Sequence, residues 1–553
     1  MADATSERSA DLDPTPDDAG AGGETSVRPG VQRARARARL LLLSVLVVAT
    51  CGLVYELISA TLASYLLGDS VTQFSLVIGV YLSAMGLGSW LSKFIERDLH
   101  DRFVGVQVAI AGVGGFSATA LFFGFAWLAD VRPLLFSLLV IVGTLVGLEI
   151  PLLMRLMPKG DALKDVVARV LAFDYIGALL ASLLFPLFFL PRLGLVRTSL
   201  LFGLFNAAVA LWTARAFSEE LRRPRLAWMQ AVAACTVLGM GLIFGKSIEL
   251  AGERQLFDAP ILMSKKSPYQ RLTITRWKED IRLYIDGNLQ FSTLDEHRYH
   301  EALVHPAVAV AGPPRRALIL GGGDGMAARE LLHYPELEHI DLVDLDPEMT
   351  ELFREHPLLS ELNAHALGDP RVEVHNEDAM VWLERRLDAA RADESITPFD
   401  LIVVDLPDPN NFALGKLYSR TFYRLLRANL SPEGAAVVQS TSPYLAPQSF
   451  WCIVETLAAA ELYTKPYHAH VPAFGDWGFV LVTVGPTPIP TKLPEGLQTR
   501  FLTDDLLPTL FAFPADQAPV DVEVNRLNDQ MLVRYYEAEL RGQGVAEGAA
   551  KRH

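Results

Sequence analysis

The chain has 553 residues, room for two or three domains, and a net charge of −15 that argues against a nucleic-acid partner. Hydrophobic residues make up 51% of it and the mean hydropathy is +0.25, high for a soluble enzyme. Cys51, Cys235 and Cys452 lie far apart in the sequence, so neither a disulfide framework nor a metal-ligand spacing can be built from them, and no metal is expected.

The apolar excess is concentrated. Residues 1–39 hold scattered Asp, Gly, Pro and Ser, then Arg28, Arg33, Arg35, Arg37 and Arg39. With almost nothing to bury, this stretch reads as a disordered tail, and its long charged region does not fit a signal peptide. Residues 40–246 form a transmembrane domain of about seven apolar segments: 40–63, 74–92, 104–128, 133–154, 170–190, 195–213 and 226–245. Most approach the ~20 residues that span a bilayer. Gly79, Gly86 and Gly88, and Gly112, Gly114 and Gly115, would allow close helix contacts. Glu56, Glu149 and Asp174 fall inside or at the edge of these spans. Such groups are costly in lipid, so each implies either an internal hydrogen bond or a transport or substrate role.

From about residue 251 the pattern changes. Arg271–Trp277 and Ile281–Asp286 alternate as strands do, so residues 251–314 read as a small β-hairpin lobe. Residues 315–485 alternate strand and helix, with strands near 317–320, 340–343, 371–374, 400–404, 435–439 and 478–484. Helices fall near 325–334, 347–356, 378–390, 418–429 and 447–460. That is a doubly wound, Rossmann-like sheet of methyltransferase type, with its site at the carboxyl ends of the strands. Residues 486–553 hold a proline-rich segment and a last helix near 526–541.

The first strand of the sheet runs into Gly321-Gly-Gly-Asp-Gly325 and then a helix, a turn that lets backbone approach a ligand and presents free N–H groups. The second strand ends at Asp344-Leu-Asp346, where a ribose diol is held in sites of this class. Acids also end the third and fourth strands, at Asp378 and at Asp405 and Asp408. One such Asp is commonly a helix cap, but four converging at one edge form a site for a cation, a sulfonium nucleoside or a polyamine. Asp324 would repel a ligand carboxylate nearby, which favours decarboxylated S-adenosylmethionine, although an Asp can equally grip the amino group of the intact form.

Tyr269-Gln270, Asp286-Gly-Asn-Leu-Gln290, Asp295-Glu-His-Arg-Tyr-His-Glu301 and Gly321-Gly-Gly-Asp-Gly325 together resemble the signature of spermidine synthase, a polyamine aminopropyltransferase, over about 253–485. The apolar first half resembles the membrane region fused to some bacterial members. The resemblance implies a transferase of polyamine and spermidine biosynthesis. It would move the aminopropyl group of decarboxylated S-adenosylmethionine, a co-substrate and not a bound cofactor, to a diamine such as putrescine. By that resemblance Asp405 is the proton acceptor, Asp408 grips the far ammonium, and His300 and Asp324 hold amine groups. Gln270 contacts the methylthioadenosine part, Asp344 the ribose, and Asp378 and Ala379 the adenine, while Gln439 lines the pocket. Family members are commonly dimers or tetramers, so a homo-oligomer is compatible with the resemblance.

The chain departs from the family pattern at Leu406 and Pro407, which replace two small polar residues, at Phe412 in place of a proline, and at Phe474 in place of a tyrosine. These leave the amine acceptor open. Two rival readings are an amine N-methyltransferase using S-adenosylmethionine and a non-catalytic polyamine-binding membrane transporter or sensor.

Charge and chemistry conflict over topology. Basic residues fill the tail and alternate loops (Lys93, Arg97, Arg102; Arg155, Lys159, Lys164, Arg169; Arg215, Arg222, Arg223, Arg225), whereas the other loops hold Arg132, Arg192 and Arg197. The positive-inside rule then makes the N-terminus cytoplasmic, and seven spans would place the catalytic domain outside. A donor made in the cytoplasm favours a cytoplasmic catalytic domain in the inner membrane, reached if the 170–213 pair, with Pro186 and Pro191, is re-entrant. The other way out is an external domain that meets exported substrate.

Overall fold

The computed structural model describes residues 29–539 apart from 68–69, 129, 158–161, 254–256, 258 and 394–396. Its first half is built from α1 (Pro29–Leu67), α2 (Ser70–Leu91), α3 (Leu99–Trp127), α4 (Arg132–Leu156), α5 (Leu163–Leu184), α6 (Leu190–Ala216) and α7 (Pro224–Glu253). Only residues 1–28 of the expected unstructured tail lie outside the described part. From Pro29 the arginine-rich stretch is instead the opening of α1, where Arg37 pairs with Glu220 at 2.6 Å and lies over the Phe217 ring.

Among the described residues, six helical runs are long and apolar enough to cross a membrane. One of them, Lys164–Ala216, holds 53 residues and joins α5 to α6. Straight, it would reach ~80 Å, far beyond a ~30 Å hydrocarbon core. A π-helical turn at Phe185–Phe189 and Gly194, at φ 72° and ψ −178°, fold it back. α5 runs alongside α1 in the same direction: Val166 and Val170 pack with Leu41 and Val45, and Thr50 donates to Gly177 O at 3.2 Å. α6 runs the opposite way, with Cys51 Sγ donating to Phe202 O at 3.5 Å and Trp212 Nε1 to Ser44 Oγ at 3.0 Å. Both legs cover the depth of α1. The pair expected to be re-entrant over 170–213 thus forms two antiparallel legs of about the length of their neighbours.

Lipid offers no hydrophobic drive between helices, so packing must supply the attraction. α2 and α4 approach until backbone touches backbone. A Cβ on Gly147 would lie 2.1 Å from Met85 O, and one on Gly88 2.0 Å from Thr144 O. Gly114 and Gly115 also lie at contacts, against Tyr55 and Gly203, but Gly79, Gly86 and Gly112 face open space, contrary to the expectation for all six. Of the three carboxylates, Glu149 is the most enclosed, 1% exposed, and accepts a hydrogen bond from Gln107 Nε2 at 2.5 Å. That bond ties α3 to α4.

The second half opens with an antiparallel meander of β1 (Ile261–Lys266), β2 (Arg271–Trp277), β3 (Asp280–Ile285) and β4 (Asn288–Ser292), a larger lobe than one hairpin. α8 (Glu296–Ala311), which had been assigned to that lobe, packs instead on the main sheet, with Ala302, Leu303 and Ala307 in one core with Ile319 and Val403. There follow β5 (Arg316–Gly321), α9 (Met326–Leu331), β6 (His339–Val343), α10 (Pro347–Glu355), α11 (Pro357–Leu362), β7 (Val372–His375) and α12 (Ala379–Ala392). The chain continues through β8 (Phe399–Asp405), α13 (Phe412–Gly415), α14 (Arg420–Asn429), β9 (Leu430–Gln439), α15 (Pro447–Ala459), β10 (Tyr463–Val471) and β11 (Gly475–Thr483).

The sheet order is β10-β11-β9-β8-β5-β6-β7, with β5 to β9 parallel and β11 antiparallel to both β9 and β10. β5 shows why it is covered on both faces: Ala317 and Ile319 enter one core, Leu318 and Leu320 the other. All six expected strands are present. β10 was missed because Pro466 and two histidines interrupt its pattern, which an edge strand tolerates.

The α2–α4 contact gives a stability test. Gly147→Leu should cost about 1–3 kcal/mol by forcing backbones apart, seen as a lower melting temperature of the solubilised full-length protein. Gly86→Leu, facing open space, should leave it unchanged; equal losses in both would contradict this packing.

Candidate active site

β5 lies between β6 and β8, so the loops leaving its two sides part and leave a crevice at the carboxyl edge. The glycine turn closes the floor of that crevice. Gly321 and Gly322 adopt left-handed φ values of 85° and 62°. A Cβ on Gly321 would lie 2.1 Å from Asp405 O, and one on Gly323 2.6 Å from an Asp344 carboxylate oxygen. Gly322 N donates to Asp405 O and Gly323 N to Asp344 Oδ2, each at 3.0 Å. The turn thus clips the ends of three strands together.

Asp405 accepts a 2.6 Å hydrogen bond from the Tyr299 hydroxyl of α8. Next to Tyr299, His300 is buried and donates through Nδ1 to Glu296 O and Oε2, both at 2.9 Å. Arg329 in turn holds Glu296, at 3.1 and 2.8 Å, and Glu330, at 2.8 Å. Burial alone would lower the His300 pKa, but Glu296, with Asp324 and Asp405 behind it, raises it. Asp324 accepts from Met326 N at 2.9 Å, and burial raises its pKa against the pull of His300. Asp405 keeps some solvent contact yet is surrounded by protein. That burial pushes its carboxyl up to about 6, opposed by His300, reinforced by Asp324 and opposed again by the Tyr299 hydroxyl. The arrangement is a carboxylate able to take up or give off a proton near neutrality.

Across the crevice Asp408 is enclosed by polar groups. Its Oδ2 accepts from Tyr536 at 2.7 Å and Thr441 at 3.3 Å, and its Oδ1 from Gln439 at 3.4 Å. Burial raises its pKa and these three donors hold it down. Gln439 Nε2 also donates to Leu406 O at 2.5 Å and to Tyr418 at 2.7 Å, and the Tyr418 hydroxyl reaches Leu406 O and Pro407 O. The loop that carries Leu406 and Pro407 is therefore held through its backbone carbonyls.

At the end of β6, Asp344 accepts from Asp346 N at 2.9 Å as well as from Gly323, yet burial still pushes it up to about 6. Both oxygens of Asp346 are occupied, one capping α10 through Glu348 N at 3.1 Å and one accepting from Ser267 at 2.8 Å. Ser267 in turn bonds Gln270 N at 3.0 Å, which ties the β1–β2 turn and Gln270 to the site. Asp378 caps α12 through Met380 N and Val381 N, and its other oxygen pairs with Lys416 at 2.5 Å. Burial opposes it, but Lys416 and the helix N–H groups leave its carboxyl below the usual range. Among the expected site carboxylates, Asp378 is thus paired with a lysine; Ala379 beside it is buried in the first turn of α12. Phe474 lies 6.2 Å from the Tyr299 ring, and Phe412 is 40% exposed at the head of α13.

Sequence reading missed Tyr299, although it lies inside the Asp295–Glu301 motif, and missed Tyr418, Lys416 and Tyr536. Tyr536 gave no local signal, because it returns to Asp408 from a helical stretch at 531–539. Two groups with metal-type side chains, His305, Glu330, His333 and His339, Asp341, Glu373, are composed of residues other than these. Each is already engaged, His305 with Glu330 at 3.1 Å and Asp341 with His375 at 2.8 Å.

Residues 296–491 match the spermine/spermidine synthase domain family. Over 511 residues the chain is 50% identical to polyamine aminopropyltransferase 2 of Ralstonia nicotianae, covering 91% of this chain and 98% of that relative. It is 46% identical over 499 residues to the polyamine aminopropyltransferase of Leptospira interrogans, covering 90% and 98%. For the Mycobacterium tuberculosis protein of that name the figures are 39% over 534 residues, 92% and 98%. A crystal structure of spermidine synthase with the transition-state analogue AdoDATO aligns over 46% of this chain and 85% of its own, at TM-score 0.42 and 21% identity. Matches of 499 residues and more take in the apolar helices as well as the sheet, and the chain belongs to the polyamine aminopropyltransferase family.

Proposed function

We propose that this transferase moves the aminopropyl group of decarboxylated S-adenosylmethionine to a diamine such as putrescine, giving spermidine and methylthioadenosine. The observation that carries the reading is Asp405, bonded by Tyr299 and raised to about 6, with the polar-walled Asp408 across the crevice. An alkyl ammonium has a pKa near ~10 and is not nucleophilic until it loses a proton. Asp405 would accept that proton. The freed nitrogen pair attacks the carbon beside the sulfonium in line, the carbon–sulfur bond breaks with its electrons on sulfur, and neutral methylthioadenosine leaves.

The other roles follow from position. Asp408 would receive the far ammonium, sharing its oxygen with Tyr536. Asp324 and His300 would receive amine groups, His300 as the neutral ring once a cation enters beside it. Asp344 would accept from the ribose hydroxyls, with Gln270 over the methylthioadenosine part, Gln439 in the pocket wall, and Asp378 and Ala379 at the adenine edge. Orientation and electrostatic placement of two cations would supply most of the acceleration.

If Asp405 is the base, Asp405→Asn should lose at least ~10²-fold in kcat while methylthioadenosine binding stays near wild type. The wild-type kcat/KM should fall as pH drops below about 6, where Asp405 becomes protonated. In Tyr299→Phe that acid limb should move to higher pH, because the lost hydrogen bond stabilised the carboxylate. Activity of Asp405→Asn within about tenfold of wild type, or a flat profile through pH 6, would contradict the assignment.

We further propose that the protein is a multi-pass protein of the inner membrane whose N-terminal basic stretch and catalytic domain lie on opposite faces. Support comes from the antiparallel α5 and α6 legs, which make the number of crossings odd. The cytoplasmic placement expected from the donor's supply relied on a re-entrant pair. Without one it would put every basic loop outside, so the charge pattern favours an external domain that meets exported substrate. A fluorescent protein at the N-terminus should then be bright and alkaline phosphatase at the C-terminus active. Both termini reporting one side would contradict the odd count.

A further inference from the structure

At the edge of the sheet β6 and β7 lie side by side in parallel, with Asp341 alongside Glu373 and Val343 alongside His375. Side chains alternate across a strand, so His339, Asp341, Glu373 and His375 share one face, while Ile340, Leu342, Val372 and Val374 pack on the core of the other. The four polar groups converge. His375 Nε2 lies 2.8 Å and His339 Nε2 3.3 Å from the same oxygen, Asp341 Oδ1. Glu373 reaches both rings, with Oε2 3.8 Å from His339 Nε2 and Oε1 3.9 Å from His375 Nε2. His339, Asp341 and Glu373 each hold a ligand atom within 4.8 Å of the other two. These residues are thus engaged chiefly with one another. Arg316 Nη2 lies 4.0 Å from the other oxygen of Asp341, Oδ2, which leaves Oδ1 to the histidines. Glu377, close by in sequence, is paired with Arg385 at 2.6 Å.

We propose that His339, Asp341, Glu373 and His375 form a site for a divalent transition metal, zinc being the best match. Two imidazoles with two carboxylates suit zinc, whereas magnesium takes oxygen ligands. Zinc bonds of about 2.0–2.2 Å set tetrahedral ligands roughly 3.3–3.6 Å apart. The separations here, 2.8, 3.3, 3.8 and 3.9 Å, straddle that range. Without an ion, two imidazoles compete as donors for one carboxylate oxygen. An ion between them takes a lone pair from each ring and each carboxylate, in place of the Nε2 protons, which leave to solvent. Two carboxylates against the single Arg316 also leave net negative charge for a dication. The other metal-type group, His305, Glu330 and His333, is a poorer candidate, because Arg329 holds Glu330 at 2.8 Å and repels a cation. An ion at the first group would clip the edge strand β7 to β6. His375 O accepts from Asp344 N at 3.0 Å and Asn376 Nδ2 donates to Asp344 O at 3.2 Å, so the clip would steady the strand end that carries Asp344.

The test uses untagged full-length protein in detergent, stripped with a chelator and titrated with zinc or magnesium chloride. Calorimetry reads the affinity and the melting temperature reads the clip. Zinc should bind at one ion per chain and raise the melting temperature by at least about 3 °C; magnesium should do neither. Zinc affinity should fall at least about tenfold in the double variant His339→Gln/His375→Gln. It should fall likewise in Glu373→Gln, whose side chain is 62% exposed and whose loss the fold tolerates should the double variant fail to fold. No zinc binding, magnesium bound as well as zinc, or zinc affinity unchanged in both variants would overturn the site, the last by placing the ion elsewhere. Zinc bound with no change in melting temperature would uphold the site and overturn the clip.

Discussion

The backbone of Gly321 lies against the carbonyl of Asp405, closer than any side chain would allow. That contact brings the ends of β5 and β8 together, and the next two glycines tie in Asp344. Burial strips these carboxylates of water and their mutual repulsion adds to it, so Asp344 and Asp405 both rise to about 6. Such a site favours cations. At pH 7 a group with a pKa of about 6 is still ionised in roughly nine molecules in ten, so Asp405 stays mostly charged while holding a proton better than an ordinary aspartate. Behind His300, Arg329 bridges Glu296 and Glu330, and Glu296 accepts from the His300 ring.

The fold was legible wherever burial imposed a period. β5, β6, β8, β9 and β11 carry apolar runs because both faces of the sheet are covered there, β7 at the edge alternates Val with Glu and His, and each was found within a few residues. β10 and α8 were not, because an edge strand tolerates Pro466 and because α8 continues directly from the lobe. The acids of the site were legible because strand ends in a doubly wound sheet share one edge. Their partners were not. Tyr299 bonds an aspartate 106 positions away and Tyr536 one 128 positions away, and no local pattern encodes such contacts. For Asp378 too the partners were hidden: its place at a strand end did not show that helix N–H groups and Lys416 bond it.

In the membrane half, composition located the helices but not their faces. Small residues at Gly79, Gly86 and Gly112 look like those at Gly88 and Gly114, and only packing separates them. The prolines at 186 and 191 fit a re-entrant pair or two full crossings alike, and the sequence does not show that α5 runs with α1 and α6 against it. The bend between those helices also borders the lobe that carries Gln270.

Whether this crevice transfers an aminopropyl group is decided by the donor it consumes. Purified full-length protein should be given putrescine with either decarboxylated or intact S-adenosylmethionine and its nucleoside product identified. The account predicts methylthioadenosine and spermidine from the decarboxylated donor and no turnover of the intact one. S-adenosylhomocysteine and a methylated amine from the intact donor would contradict it.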